Sequence, residues 1–243
     1  MSRLAERRAL VTGGASGIGA EIARLFAAEG AAVAVLDLNL AGAQRVAEGI
    51  GGMALACDVS IPTEIERAVG LAADGLGGLD VLINSAGVLV RQAFESIDAA
   101  AWQRLFEINL RGPAEVIRSA LPALRAGREP AIVNVASLTA LRPSLGTSAY
   151  AATKGGLLML TKCLAQELAP IRVNAICPGI VDTPMTTEFM TDPATRQRIE
   201  NGNVLHLTAK PSDIAAAAIY LASTESRLVT GTQIVIDGGS SFA

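Results

Sequence analysis

The chain contains no apolar run long enough to cross a membrane. Its longer runs, such as residues 31–36, fall far short of the roughly 18–20 residues a spanning helix needs. The hydrophobic fraction of 51% comes largely from alanine spread along the whole chain, and it reads as a soluble protein with a well-buried sheet. No excess of positive charge exists: the net charge is −3, and Arg7-Arg8 extends into no basic tract, so a nucleic-acid partner is not expected. Cysteine is scarce and odd in number. Cys57, Cys163 and Cys177 lack metal-type spacing, and no metal site is expected; Cys57 and Cys177 read as buried free thiols. The N-terminus is charged, and the apolar stretch 9–11 is too short for a secretory signal, so a reducing cytoplasm is the expected location. Histidine occurs once, at His206, and lysine three times, at Lys154, Lys162 and Lys210.

What remains is a regular alternation of short apolar segments with amphipathic ones. Strands are expected at 9–12, 32–36, 53–57, 81–84, 131–135, 172–176 and 233–236. Helices are expected at 17–28, 40–49, 63–76, 99–126, 150–168 and 212–223. The strands are apolar throughout rather than alternating, as they are when both sheet faces are covered. Strand–helix alternation implies right-handed crossovers and a parallel sheet. The expected fold is therefore α/β: a single-domain doubly wound Rossmann fold over residues 1–243, with a seven-stranded parallel sheet. Residues 186–207 depart from this rhythm. They are polar, follow the sixth strand, and read either as a lid over a substrate or as an ordinary surface helix pair.

Two local patterns carry chemistry. Tyr150 and Lys154 stand four residues apart on an expected helix, so they share a face. An ammonium beside a phenol favours the phenolate, and a tyrosine whose pKa falls from about 10 toward neutrality becomes a general base for an alcohol proton. Lysine is rare in this arginine-rich chain, and its compact, tunable ammonium suits that task. Near the N-terminus, Gly13 follows the first strand, and Gly17-Ile18-Gly19 opens the first helix after Ser16. Glycines there allow a sharp turn and a close approach to phosphate, while the helix N-terminus offers free N–H groups and partial positive charge. Asp37 ends the second strand eighteen residues after Gly19, near the spacing of a carboxylate on the adenosine ribose. Such a carboxylate repels the extra phosphate of NADP, and no cation follows at residues 38–41, so NAD is the expected cofactor. Asp58, after the third strand, reads as an adenine contact or as a turn aspartate.

Taken together, Thr12-Gly13 with Gly17 and Gly19, Asp58-Val59, Asn84-Ser85-Ala86-Gly87, Asn109, Ser137, Tyr150 with Lys154, Pro178-Gly179, Thr183 and Asp237-Gly238-Gly239 resemble the short-chain dehydrogenase/reductase family over essentially the whole chain. The resemblance implies a catalytic set of Asn109, Ser137, Tyr150 and Lys154. Tyr150 would be the acid/base, Ser137 would polarise the substrate oxygen, and Lys154 would bind the nicotinamide ribose. Asn109 would sit at a break in the long helix, near Gly112-Pro113, and anchor a water leading from Lys154. Cofactor contacts are expected from Gly13, Ser16, Gly17, Ile18, Gly19, Asp37, Leu38, Asp58, Val59, Asn84, Ala86, Gly87, Tyr150, Lys154, Pro178, Gly179, Ile180 and Thr183. Two positions depart from the family pattern: Ser85 replaces a second asparagine, and Ala136 replaces a serine.

The expected reaction interconverts a secondary alcohol (polyol, sugar or hydroxy acid) and its ketone by hydride transfer to or from NAD. An NADP-dependent carbonyl or oxoacyl reductase and a non-catalytic nucleotide-binding regulator are the alternatives. Arg142, and less directly Arg91, are candidates for an anionic substrate group or else solvated arginines. His206 is read as a lid or packing residue. Alanine-rich helix faces and the apolar C-terminal segment 233–243 suggest a homotetramer or homodimer, as similar enzymes form.

Overall fold

The computed structural model describes residues 2–242; the side chain of Phe189, and Ala243 of the expected subunit-pairing tail, lie outside the described part. Among these residues seven strands form one parallel sheet: β1 (Arg8–Thr12), β2 (Ala32–Asp37), β3 (Met53–Ala56), β4 (Val81–Asn84), β5 (Ala131–Val135), β6 (Arg172–Pro178) and β7 (Gln233–Ile236). Their spatial order is β3-β2-β1-β4-β5-β6-β7. The expected doubly wound sheet is therefore present. Strand ends match the sequence expectation within a residue except at β6, which runs on to Pro178 because Cys177 and Pro178 still pair with Val235 and Ile236.

Successive strand residues feed opposite layers. Ala9, Val11, Val33, Val35, Val81, Ile83 and Val133 pack against α1 (Gly17–Ala28), α2 (Leu40–Ile50) and α9 (Pro211–Ala222). Leu10, Ala34, Leu36, Leu82 and Ile132 face the other way, onto α3 (Pro62–Leu76), α5 (Gly112–Arg125) and the end of α6 (Ser148–Glu167). At the opposite end of the sheet from the glycine turn, buried Asp80 accepts from the Arg8 main-chain N–H (2.9 Å), the Arg8 guanidinium (2.7 Å) and the Arg128 N–H (2.6 Å). These partners hold the Asp80 carboxyl down at about 2 despite its burial.

The long helix expected over 99–126 is interrupted. α4 (Ala99–Phe106) and α5 are joined by one widened turn, Glu107–Arg111. Pro113 lacks the N–H that regular continuation would use. Gly112 is required for a different reason: a Cβ there would stand 2.7 Å from the Val59 carbonyl oxygen. The bulge turns Asn109 inward, where it is fully buried. Residues 186–207 form a helix pair, α7 (Thr187–Met190) and α8 (Pro193–Asn201), followed by a bonded loop.

Strand order reverses between β1 and β4, and an open α/β sheet offers its crevice at the carboxyl ends of the strands on either side of such a reversal. The glycine turn after β1 and the Asn84–Gly87 segment after β4 meet there. Thr12 Oγ1 accepts the N–H groups of Ser85 and Ala86, both at 3.2 Å. A Cβ on Gly13 would stand 2.7 Å from the Ala86 backbone.

Candidate active site

A cleft of about 1610 Å³ opens along the carboxyl ends of the strands. It exceeds the usual span of a single small-ligand pocket, roughly 300–1,000 Å³, and leaves room for a dinucleotide beside a substrate. At one end is the β1–α1 turn. Gly13 (φ 67°) and Gly17 (φ 53°) adopt left-handed backbone that a side chain would strain. A Cβ on Gly19 would lie 2.2 Å from the Gly13 carbonyl oxygen, so helix α1 can begin this close to the turn only with glycine. The Asp37 carboxylate binds back onto this turn, accepting from the N–H of Ala15 (3.0 Å) and of Asn39 (2.8 Å). Asp58 does form a turn, with Ser60 N–H at 2.8 Å and Ser60 Oγ at 2.7 Å, and it also lines the cleft.

Ser16, Ile18, Leu38, Val59, Ala86, Gly87, Pro178, Ile180 and Thr183 line the same cleft. Thr183 closes on the glycine turn from the far side, 3.3 Å from where a Gly17 Cβ would be. Gly179 N–H bonds the Ile236 carbonyl at 2.8 Å, which holds the Pro178–Thr183 loop to the end of β7. Asn84 ends β4, directly before the lining residues 85–87. Its side chain lies beneath the cleft rather than on its wall, donating to Asn134 Oδ1 at 2.9 Å. Asn134 in turn donates to Thr161 Oγ1 at 2.9 Å, so this chain of amides fastens β4 and β5 to α6.

Ser137, Tyr150 and Lys154 converge at the other end. Ser137 leaves β5 on a tight turn and hydrogen-bonds the Tyr150 phenol, which sits in the first turn of α6. Ser137 Oγ also accepts from the Thr139 N–H (3.2 Å) and the Thr139 hydroxyl (2.9 Å). Lys154 is buried, donates from Nζ to the Val135 carbonyl at 2.8 Å, and lies 5.9 Å from the Tyr150 ring centre.

The electrostatics differ from the sequence expectation. Burial pushes the Tyr150 phenol up, and the Ser137 hydrogen bond opposes that shift without reversing it. Burial also lowers Lys154, to about 8. Helical spacing correctly puts the two groups on one face, but it carries no information about desolvation, and burial is the largest cause of both shifts.

The Lys154 shift has a stability consequence. Below about pH 8 both the folded and the unfolded chain hold this proton, and the burial penalty is fully present. Between there and the ordinary lysine range only the unfolded chain holds it, so stability rises with pH; above that range the penalty is gone. Lys154→Met should therefore abolish function yet melt about 2–6 °C higher at pH 7. The relieved burial penalty, roughly 3 kcal/mol, exceeds about 1–2 kcal/mol for the orphaned Val135 carbonyl. Thermal melts across pH 7–10.5 should show the gain shrinking; a gain independent of pH would contradict the account.

Asn109 acts as a clamp. Its Oδ1 accepts the Val88 N–H and its Nδ2 donates to the Val88 carbonyl, both at 2.9 Å. Nδ2 also reaches Thr153 Oγ1 at 3.3 Å, and that hydroxyl donates to the Tyr150 carbonyl at 2.8 Å. One buried amide thus ties the strand end at Gly87-Val88 to the turn that bears Tyr150. Thr139 and Thr153 were not singled out from sequence. Ser137-x-Thr139 is a local hydroxyl-turn pattern that could have flagged the first. Nothing local flags the second, because its partner is forty-four residues away.

Arg91 and Arg142 both line the cleft, and Arg91 also reaches the Leu145 carbonyl at 3.4 Å. His206 does not line it; the residue is exposed, with φ 52° and Nδ1 3.4 Å from the Glu200 carbonyl. No helix among the described residues is long and apolar enough to cross a membrane.

Comparison with known proteins agrees with this geometry. Residues 13–241 match a family model described as enoyl-(acyl carrier protein) reductase. The chain is 36% identical over 246 residues to a cyclopentanol dehydrogenase of Comamonas testosteroni, covering 98% of each chain. Its structure is similar to that of a Brucella melitensis "short-chain dehydrogenase/reductase SDR: glucose/ribitol dehydrogenase", with TM-score 0.94, 36% identity and 99% of each chain covered. It is also similar to a ketoacyl-(acyl carrier protein) reductase from the same organism, solved in complex with NADH, with TM-score 0.92, 35% identity, and 98% and 100% of the two chains covered.

Proposed function

The chain belongs to the short-chain dehydrogenase/reductase family, and on that premise we propose that it is an NAD-dependent dehydrogenase interconverting a secondary alcohol and its ketone. The carrying observation is the Ser137–Tyr150 hydrogen bond at the mouth of the switch-point cleft, with Lys154 buried behind it. At Gly13, Gly17 and Gly19 a Cβ would crowd Ala86, Thr183 and the turn's own backbone, and so tight a turn at the start of α1 fits the phosphates of a dinucleotide. When bound, the nicotinamide supplies the hydride donor or acceptor. The remaining work belongs to this chain. Tyr150 takes the hydroxyl proton in the oxidising direction and returns it in the reducing one. Ser137 holds the same oxygen and stabilises negative charge that develops on it. Lys154 places a cationic group behind the phenol, and Asn109 positions Tyr150 through Thr153.

Asp37 supports NAD over NADP, and the NADH complex of the ketoacyl reductase is in line with that choice. The cyclopentanol dehydrogenase relative supports an alcohol as substrate. The exposed Met159 of α6 and Val235 of β7 fit a homotetramer or homodimer; light scattering at the monomer mass would remove the assembly. The buried free thiols Cys57 and Cys177 fit a cytoplasmic protein. The activity itself is tested by absorbance at the NADH band, with secondary alcohols and ketones offered alongside NAD, NADH and their phosphorylated counterparts. Turnover with NAD or NADH is expected, and tight NADH binding without turnover on any alcohol or ketone would turn the reading toward a nucleotide-binding regulator.

A further inference from the structure

A serine hydroxyl carries one hydrogen and two lone pairs. At Ser137 both lone pairs are taken by one neighbour: Oγ accepts the Thr139 N–H at 3.2 Å and the Thr139 hydroxyl at 2.9 Å. The Ser137 N–H is occupied as well, by Cys177 of β6. The remaining bond of the Ser137 side chain is with the Tyr150 phenol. A hydroxyl whose acceptor sites are filled meets that phenol only as a donor. The three hydroxyls therefore run one way, from Thr139 to Ser137 to Tyr150. The hydrogen of the Tyr150 phenol is then left for an oxygen in the cleft, which all three residues line.

The turn does not need the Thr139 hydroxyl for its shape. The Ala140 N–H donates to the Ser137 carbonyl at 3.1 Å and the Leu141 N–H to the Leu138 carbonyl at 2.9 Å, so the backbone closes this loop by itself. Thr139 is half-buried, and a β-branched side chain is stiff at χ1, so its hydroxyl keeps one position. Resting on the dehydrogenase reading above, we infer that Thr139 is a positioning residue that makes Ser137 a one-way donor, able to give a hydrogen bond to the substrate oxygen but not to take one from it. In oxidation the alcohol O–H bond then breaks toward Tyr150 alone, and the Ser137 proton stays on Ser137. In reduction the ketone oxygen receives its proton from Tyr150 alone. Accepting from Thr139 also strengthens Ser137 as a donor, because hydrogen bonds in a chain polarise one another. Without the Thr139 hydroxyl, Ser137 would regain a lone pair and a free rotor, and would compete with Tyr150 for the alcohol hydrogen.

Thr139→Val keeps the branched shape and the main-chain bond to Ser137 and removes only the hydroxyl donor. Loss of a direct donor to a developing oxyanion costs about 10²–10³ in kcat. Thr139 acts one bond further out, so kcat should fall about tenfold in both directions with KM little changed. The pH profile separates positioning from packing. The Ser137 bond draws the Tyr150 phenol down against burial, so weakening it should move the rise of alcohol oxidation to higher pH. The other titratable groups beside the turn, Lys154 of α6 and Cys177 of β6, keep their bonds to the Val135 carbonyl and the Ser137 N–H in this variant. Thr139→Ser returns a hydroxyl and should restore both rate and profile. A valine variant within about twofold of wild type, a loss confined to KM, an unmoved pH profile, or no rescue by serine overturns the inference. Should no alcohol or ketone react with the wild type, the dehydrogenase reading fails instead, and neutron diffraction still decides the turn. The Ser137 deuterium should then point to Tyr150 and the Thr139 deuterium to Ser137; a Ser137 deuterium directed at Thr139 overturns the inference.

Discussion

Tyr150→Phe should lower kcat by at least about a hundredfold, the scale of a lost general acid/base, while NADH still binds with nearly unchanged affinity. The substitution removes one oxygen and keeps the ring that packs with Leu105 and Ala149. Stability should therefore move little, and a large fall in melting temperature would mean the loss of activity has a different origin. Ser137 is left with its two bonds from Thr139, so the neighbouring turn keeps its shape. The pH dependence adds an independent check with a definite sign. Burial raises the Tyr150 phenol, so the ionised form that accepts a proton grows only as pH rises. Oxidation of the alcohol should accelerate with increasing pH, and reduction of the ketone, which needs the protonated phenol, should slow. Single-turnover rates in both directions across pH 6–10 would show the opposed slopes. Parallel slopes, or near-normal turnover by the phenylalanine variant, would remove Tyr150 from the proton-transfer role.

How far this site could be read in advance depended on the range of the interactions involved. The sheet was legible because β1, β4 and β5 are apolar on both faces and each is followed by a helix, a pattern that survives in one dimension. The glycine turn was legible because backbone sterics act over a few residues: Gly13 and Gly19 meet within a single turn. Tyr150 and Lys154 share a face by helical arithmetic alone. The Lys154 burial that sets its pKa depends instead on β5 and on the Val135 carbonyl nineteen residues upstream. Asn109 was placed at a helix break, but its partners at Val88 and Thr153 lie twenty-one and forty-four residues away. Asn84 shows the same limit at a strand end. Its neighbours do line the cleft, yet its own side chain points into the β4–β5–α6 layer, because successive residues at a strand end face opposite ways.

Asp37→Asn should change the ratio of kcat/KM for NAD over NADP by about 10²–10³, almost entirely by admitting NADP. The carboxylate is held by the Ala15 and Asn39 N–H groups, so it cannot swing away from an incoming phosphate without breaking two bonds. Like charges forced together at a binding surface cost several kcal/mol, and each 1.36 kcal/mol is a factor of ten in rate. Asparagine keeps the shape and one carbonyl oxygen but removes the charge. NAD should lose only modestly, by about tenfold or less, since its ribose hydroxyls still find an acceptor. The variant should reach near parity between the two cofactors rather than full NADP preference. Residues 38–41 supply no cation, and neither does Ser16, which lines the same cleft as Asp37. A second substitution, Ser16→Arg, should then carry the Asp37→Asn enzyme past parity, because a guanidinium pairs with phosphate through two parallel hydrogen bonds. Wild-type enzyme that turned over NADP as readily as NAD would show that Asp37 exerts no such exclusion.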